Sequence, residues 1–250
     1  MIYALRICTS YVTWPIGKEE TIMRKFKVFQ LGYLIGRMFI EGGLLALPGK
    51  EPEEERAKNE TNMIYMRIQE ICISLNFKGV AIYWQNIDKL LTSSERQNTK
   101  ILAKTISDIF KLASISLEEC LTGEEKALFL LGQEIARENS LLMACSMQNW
   151  EYKSKFSIPK DLKKYDDEIY SLALELEQAF ANKECKRITI LIERIHKALL
   201  MADLRQLKDE SDTEQTFLEK ATKVLQLQFG PIGIDLNELN KLIKHLFRKK

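Results

Sequence analysis

Glycine, proline and histidine are scarce in this chain, which has 11 glycines, 5 prolines and 2 histidines among its 250 residues. So few turn-forming residues argue against an all-β fold, whose many short strands need frequent turns. Only one of the two histidines has the Glu-x-x-His spacing that a di-iron centre of the helical type needs twice, and neither stands in a signature of a histidine-dependent nucleophile. The chain instead abounds in Leu, Ile, Lys, Glu and Ala, which favour helices.

A strong excess of charge of either sign is also missing, because 37 basic residues balance 35 acidic ones and leave a net charge of +2. A dedicated nucleic-acid-binding protein usually carries a larger basic excess on one face. Nucleic-acid association stays an alternative, since basic clusters stand where helices are predicted to begin or end. These clusters are Arg24-Lys25-Lys27, Lys160-Lys163-Lys164, Lys183-Lys186-Arg187 and residues 248–250.

The cysteines form no pattern typical of a disulfide framework or a zinc site. Their number is odd and no two are spaced as Cys-x-x-Cys. We therefore expect free thiols, no bound metal and a cytoplasmic location, where thiols stay reduced. The five positions are Cys8, Cys72, Cys120, Cys145 and Cys185.

No hydrophobic run is suited to crossing a membrane. The longest apolar stretch, residues 26–47, contains the charged residues Lys27, Arg37 and Glu41. Charges at such positions are costly in a bilayer, so the stretch favours a buried helix over a membrane span.

A nine-residue pattern occurs twice in the chain, 100 residues apart. Residues 29–37 read FQLGYLIGR and residues 129–137 read FLLGQEIAR, with identical residues at five of the nine positions. Apolar residues recur at helical spacing after each copy, and the order of predicted helices is similar in the two halves. The pattern therefore predicts a tandem duplication.

We predict an all-α fold of about nine helices, most of them antiparallel to their neighbours. Pro48-Gly49 is expected to stop the first helix, and Thr122-Gly-Glu-Glu125 is expected to open the second half as a capping box. The predicted organisation is a helical bundle, built as a pseudo-repeat or a short α-solenoid. It comprises an N-terminal arm or extension (1–22), a first four-helix unit (23–121), a second four-helix unit (122–229) and a C-terminal capping helix (230–250).

Small residues four positions apart mark both copies of the repeat. Gly32 and Gly36 share one helix face, and Gly132 and Ala136 share the equivalent face. A glycine within a helix costs about 1 kcal/mol relative to alanine, so a compensating contact is expected. Small residues at this spacing allow another helix to approach closely, and we predict a helix crossing at these four positions. A homodimer seam or a ligand slot is the alternative.

Each copy of the repeat ends in an arginine within a mostly apolar helix. Glu41 lies four residues after Arg37, and Glu134 lies three residues before Arg137. Both spacings suit an ion pair on one helix face, which is the first interpretation. The alternative is an anion site shared by the two arginines, because the guanidinium binds carboxylate and phosphate through a planar fork.

No catalytic, cofactor-binding or metal-binding residues are predicted. Glu193 and His196 have the Glu-x-x-His spacing of di-iron helix bundles, but the chain lacks the second such step that a di-iron centre needs. We therefore predict a non-enzymatic protein–protein interaction module, an adaptor or regulator, with Trp14, Trp84 and Trp150 as candidate contact anchors. For Trp84, burial in the core is the favoured alternative. An enzyme whose site is assembled from distant helices is a further alternative.

Overall fold

The computed structural model describes residues 23–44, 51–77, 83, 99–209, 211 and 217. This part of the chain contains helices and no strand, which confirms the predicted all-α class. The helices are α1 (Arg24–Leu44), α2 (Glu51–Ser74), α3 (Thr99–Cys120), α4 (Gly123–Gln148), α5 (Leu162–Tyr165), α6 (Asp167–Ala181) and α7 (Cys185–Asp209). None of the described helices is long and apolar enough to cross a membrane.

Four predicted segments fall outside the described residues. They are the arm (1–22), the capping helix (230–250) and, apart from Tyr83 and Phe217, the helices that the apolar spacing predicts at residues 82–91 and 217–229. The four-helix count of each unit therefore stays a prediction.

The apolar spacing predicts a single helix from about Lys160 to Ala181, but this helix is interrupted in the structure. The backbone of Asp166 is extended (φ −152°, ψ 102°) and separates the four-residue α5 from α6. The Asp166 carboxylate accepts a hydrogen bond from the Ile169 N–H at 2.9 Å. Asp166 thus caps the N-terminus of α6, as short acidic side chains commonly do.

The predicted capping box at the start of α4 is wrong in its hydrogen bonds. Thr122 does occupy the N-cap position, but its side chain makes no capping hydrogen bond. Glu125, which was expected to reach back to the N-cap, forms an ion pair with Arg24 at the start of α1. Glu125 thus pairs with Arg24 from the other half of the chain and not with the backbone of Thr122.

Helix α1 occupies the centre of the described fold, where it contacts α2, α3, α4 and α7. The first turn of α1 pairs with the first turn of α4, and Gly36 lies against Ala136 farther along. The two helices therefore run parallel. This pair is an exception to the antiparallel arrangement predicted for most neighbours, because the chain returns to its starting end before α4 begins.

Two apolar cores lie on either side of the α1–α4 pair. The first core is built from α1, α2 and α3, and the second is built mainly from α4, α6, α7 and the segment between α4 and α5. The repeated phenylalanines are exchanged between them. Phe29, from the first half, is buried in the second core, and Phe129, from the second half, is buried in the first core.

Candidate interaction surface

The two copies of the repeat pack directly against each other. A Cβ atom built on Gly36 would lie 2.5 Å from the Gln133 carbonyl oxygen, and one built on Gly132 would lie 2.8 Å from the Tyr33 nitrogen. A Cβ on Gly32 would overlap the Phe129 carbonyl. The obstructing atoms are backbone atoms, so only small residues permit this close approach of α1 and α4.

The contacts of this interface are reciprocal. Gly32 faces the backbone of Phe129, and Gly132 faces the backbone of Phe29. Exchanging each residue for its counterpart 100 positions away converts the first contact into the second. This relation is that of an approximate two-fold axis between the two helices.

The first turns of α1 and α4 are joined by two ion pairs that obey the same exchange. Arg24 pairs with Glu125, with a second contact at 3.2 Å, and Lys25 pairs with Glu124 at 2.8 Å. Since 24 + 100 = 124 and 125 − 100 = 25, the exchange converts one pair into the other with the charges reversed. Two cations considered for nucleic-acid binding are thus neutralised within the fold.

The arginine that ends the second copy of the repeat forms an ion pair within its own helix. The Nη2 atom of Arg137 lies 2.6 Å from the Glu134 carboxylate and 3.6 Å from that of Glu138. Arg37 is half-buried on α1 and also interacts with its neighbours, whereas the Glu41 side chain lies outside the described residues.

The segment between α4 and α5 is fastened to α4 by a buried carboxylate. Glu138 is fully buried, and its Oε1 atom accepts hydrogen bonds from the Tyr152 hydroxyl at 2.7 Å and the Lys155 N–H at 2.8 Å. Burial, together with this carboxylate, raises the pKa of the Tyr152 hydroxyl well above its ordinary value. The segment is thereby held in place immediately after Trp150.

Two ionisable side chains of α7 face α1. The buried Asp203 carboxylate accepts a hydrogen bond from the Phe26 N–H at 2.9 Å and so satisfies a free donor in the first turn of α1. Burial raises the pKa of Asp203 to about 6. This carboxylate therefore adds a long-range cap to α1.

The His196 ring is also placed against α1. It packs edge-on against the rings of Phe26, Phe29 and Tyr33, with centroid distances of 5.8, 5.2 and 5.9 Å. Burial lowers the pKa of His196 to about 4, so the ring is neutral at neutral pH. Among the described residues, no group of three or more His, Cys, Asp or Glu side chains is placed to hold a metal ion.

Other basic residues at helix ends are engaged within the fold. Arg187 forms an ion pair with Glu184 at 3.1 Å and lies 3.9 Å from Glu175. Lys163 and Lys164 each lie over a tyrosine ring, 5.8 and 5.4 Å from its centroid. These contacts give no support to the nucleic-acid alternative.

Large apolar side chains are exposed at the C-terminal end of α4. Met143, Met147 and Trp150 are 56%, 66% and 67% exposed; the two methionines lie four residues apart on one side of α4, and Trp150 follows the end of the helix. We call these three residues the α4 patch. Exposed apolar surface of this kind marks interaction sites more often than isolated exposed residues do.

Trp150 of the α4 patch is held by the way in which α4 ends. Asn149 adopts the left-handed conformation (φ 54°), and the Trp150 N–H donates to the Cys145 carbonyl at 2.9 Å. This arrangement is a Schellman-type C-terminus, which fixes the chain for the two residues after the helix. The indole is therefore attached to an ordered backbone position although most of its surface is exposed.

The α4 patch lies in a charge-free stretch of the sequence, which ends directly after Trp150 at the exposed ion pair between Glu151 and Lys153 (3.5 Å). Residues 139–150 contain no Asp, Glu, Lys or Arg, although 29% of the whole chain is charged. A second set of exposed apolar residues, Met63, Met66 and Ile73 on α2, differs in this respect, because the Arg67–Glu70 ion pair (2.9 Å) lies among them. Charged and apolar residues are mixed there, as on an ordinary solvated helix face.

Trp150 was predicted from the sequence as a contact anchor, whereas Met143 and Met147 were not singled out. The sequence signal by which the two methionines can be found is the charge-free run of residues 139–150. The other two predicted anchors, Trp14 and Trp84, lie outside the described residues.

Comparison of the chain with protein-family models, curated proteins and solved structures finds no match.

Proposed function

We propose that this protein is a non-enzymatic protein–protein interaction module, an adaptor or regulator, and that it binds its partner through the α4 patch. The observation that carries this proposal is the exposure of three large apolar side chains, Met143, Met147 and Trp150, near the C-terminal end of α4 in a charge-free stretch of the sequence. Tryptophan is enriched among the residues that dominate binding energy at interfaces. Methionine is common on surfaces that bind helical targets, because its flexible side chain adapts to the partner.

The ordered attachment of Trp150 supports the same proposal. Binding costs free energy when interface side chains and loops must be ordered. The backbone on both sides of the indole is already restrained. The Trp150 N–H donates to the Cys145 carbonyl at the end of α4, and the buried Glu138 carboxylate binds Tyr152 and Lys155 just after it. Less ordering is then required when a partner binds.

The reciprocal α1–α4 contacts support a finer organisation of the fold. We place two tandem four-helix units at residues 23–121 and 122–229, preceded by the arm and followed by the capping helix. Under this proposal, the approximate two-fold relation between α1 and α4 extends to the helices that flank them. The cytoplasmic location also remains our proposal, and the free thiols of Cys72, Cys120, Cys145 and Cys185 are compatible with it.

Site-specific photo-crosslinking tests the function. A benzophenone amino acid is placed at position 147 in the α4 patch and, as a matched control, at position 63 on α2, which has similar exposure. In the source cells, we expect a discrete adduct from position 147 and none from position 63. The captured protein is then purified and titrated with the unmodified chain.

The same titration with Trp150→Ala decides the outcome. We expect the affinity to fall by about tenfold or more, because an exposed tryptophan at the centre of an interface typically contributes at this level. Circular dichroism checks that the variant keeps its helical content. Equal adducts from positions 63 and 147, or an affinity unchanged by Trp150→Ala, would remove the α4 patch as the binding surface.

A further inference from the structure

In the contact between α1 and α4, each helix meets a partner that resembles itself. Gly32 and Gly132 occupy equivalent positions, and each faces the backbone of the phenylalanine that begins the other copy of the repeat. Two α1 helices from two molecules would therefore place Gly32 of one against the backbone of Phe29 of the other in the same way. An interface with this symmetry accepts like helices as well as unlike ones, unless another feature distinguishes them.

Steric fit opposes the pairing of α4 with itself but permits the pairing of α1 with itself. The small residue that follows the repeated glycine by four positions is Gly36 in α1 and Ala136 in α4. A Cβ atom at position 36 would lie 2.5 Å from the Gln133 carbonyl oxygen, so the alanine of a second α4 would collide with this atom. Two α1 helices have glycine at both positions and avoid the collision. Packing alone therefore does not keep two α1 helices apart.

The charges in the first turns do distinguish like from unlike helices. Arg24 and Lys25 of α1 meet Glu125 and Glu124 of α4, and both contacts join opposite charges. Because positions 25 and 125 are equivalent, two α1 helices would bring Arg24 of each molecule against Lys25 of the other. Two α4 helices would bring glutamates together in the same way. Like charges would then repel where the α1–α4 contact has two ion pairs.

These charges are sufficiently shielded from water to influence the choice of partner. The four side chains keep between 25% and 32% of their exposure, so their interactions are screened less than those of fully exposed pairs. Asp203 of α7 belongs to the same cluster, since its carboxylate accepts from the Phe26 N–H and interacts electrostatically with both Lys25 and Glu124. This additional carboxylate also favours cations at the start of α1.

We propose that the opposite charges in the first turns of α1 and α4 determine which helices pair in this contact. They direct α1 to the α4 of its own chain and prevent a second copy of the chain from pairing through its own α1. The two ion pairs thus act as a specificity determinant. This role concerns the pairing of the two halves of the chain and is independent of the α4 patch.

Reversing the charges of one helix at a time tests the proposal. The first variant carries Arg24→Glu and Lys25→Glu, so that both helices begin with acidic residues. The second variant carries Glu124→Lys and Glu125→Arg, so that both helices begin with basic residues. Each full-length variant is refolded from urea alone and in an equimolar mixture with the other at about 20 µM, since association depends on concentration. Sedimentation velocity and thermal unfolding are then measured.

Alone, each variant should be monomeric and should unfold about 5 °C or more below the parent, because like charges meet both within and between chains. In the mixture, the α1 helix of each variant finds opposite charges on the other chain, and more than about half of the protein should sediment as a 1:1 dimer. If a variant does not fold alone, the mixture still decides, because opposite charges are available there.

Two controls separate partner choice from general effects of charge. A chain with all four substitutions again has opposite charges on α1 and α4, and it should be monomeric with a Tm within about 2 °C of the parent. A second pair of variants carries the same changes in net charge on exposed residues of α6 and α7. These variants are Lys186→Glu with Lys197→Glu and Glu168→Lys with Glu193→Lys, and their mixture should remain monomeric.

Three outcomes would overturn the proposal. They are a mixture of the first two variants that stays monomeric, an equal amount of dimer in the mixture of exposed-charge variants, and a fully reversed chain as unstable as the variants with one helix reversed. None of these measurements involves position 147 or Trp150. The specificity determinant and the proposed function are therefore tested separately.

Discussion

Gly132→Ala should destabilise this protein, although alanine is the better helix former. The added Cβ would overlap the Phe29 carbonyl and would lie 2.8 Å from the Tyr33 nitrogen, so it can be accommodated only if α1 moves away from α4. Displacing α1 also disturbs both cores, since each contains residues of this helix. The substitution therefore acts on the most central contact of the described fold.

The expected magnitude combines two opposing effects. Replacing glycine by alanine in an unobstructed helix stabilises by about 1 kcal/mol. Forcing a methyl group into a filled site costs about 1–3 kcal/mol and sometimes more, and the upper end applies here because the obstructing atoms belong to the backbone. A net loss of about 2 kcal/mol follows, which lowers the Tm of a chain of this size by about 4–8 °C.

Thermal unfolding followed by circular dichroism measures the effect, with urea titration as a second assay. Ser146→Ala provides the control, since Ser146 is exposed on the same helix and its replacement should change stability by less than about 0.5 kcal/mol. Gly32→Ala should cause a loss similar to that of Gly132→Ala, because the contacts of the two glycines are reciprocal. A Tm for Gly132→Ala equal to or above that of the parent would refute the close packing.

Two further predictions concern buried carboxylates. The pKa of Asp203 is raised from 3.8 to about 6, so the unfolded chain releases this proton first as the pH rises, and the contribution of Asp203 to stability falls by about 2 kcal/mol between pH 4 and 7. Asp203→Asn keeps an acceptor for the Phe26 N–H without titrating, so the stability difference between variant and parent should shift by this amount in favour of the variant over that range. Urea titrations of variant and parent at both pH values measure the difference in their free energies of unfolding. His196 contributes with the opposite sign over the same pH range, but equally in both proteins, so its contribution cancels from the difference. A difference that does not change with pH would contradict the prediction. Glu138→Ala should lower the free energy of unfolding by about 3 kcal/mol at pH 7, because the Tyr152 hydroxyl and the Lys155 N–H lose their acceptor. A decrease of less than about 0.5 kcal/mol would show that these hydrogen bonds are not a significant source of stability.

The sequence predicts the helical class well because its signals are local. Apolar periodicity acts within a few residues, and α1, α4 and α7 lie where the pattern indicates them, whereas the predicted stop at Pro48-Gly49 lies outside the described residues. The break at Asp166 was missed, although its acidic side chain is a common N-cap, because the apolar spacing continues across it.

The direction and partners of the helices depend on contacts that no local pattern contains. Glu125 has the spacing of a capping box, but Arg24 lies 101 residues away and takes its carboxylate. Glu138 resembles an exposed helical glutamate in the sequence and is fully buried, since Tyr152 and Lys155 approach it from the following segment.

The candidate surface was predictable only in part, for a similar reason. Trp150 attracts attention by its residue type, whereas Met143 and Met147 resemble core residues of an amphipathic helix. Their exposure depends on which side of α4 the other helices cover, which is a property of the assembled fold.

The exchange of Phe29 and Phe129 between the two cores has a consequence for how the protein unfolds. Each half, taken alone, lacks a buried aromatic side chain that only the other half supplies, and it would be left with a cavity of phenylalanine size. Such a cavity costs about 3–5 kcal/mol, a large fraction of the free energy that holds an ordinary domain together. The loss of either half therefore undermines the other, and calorimetry should show one cooperative transition in place of two independent ones.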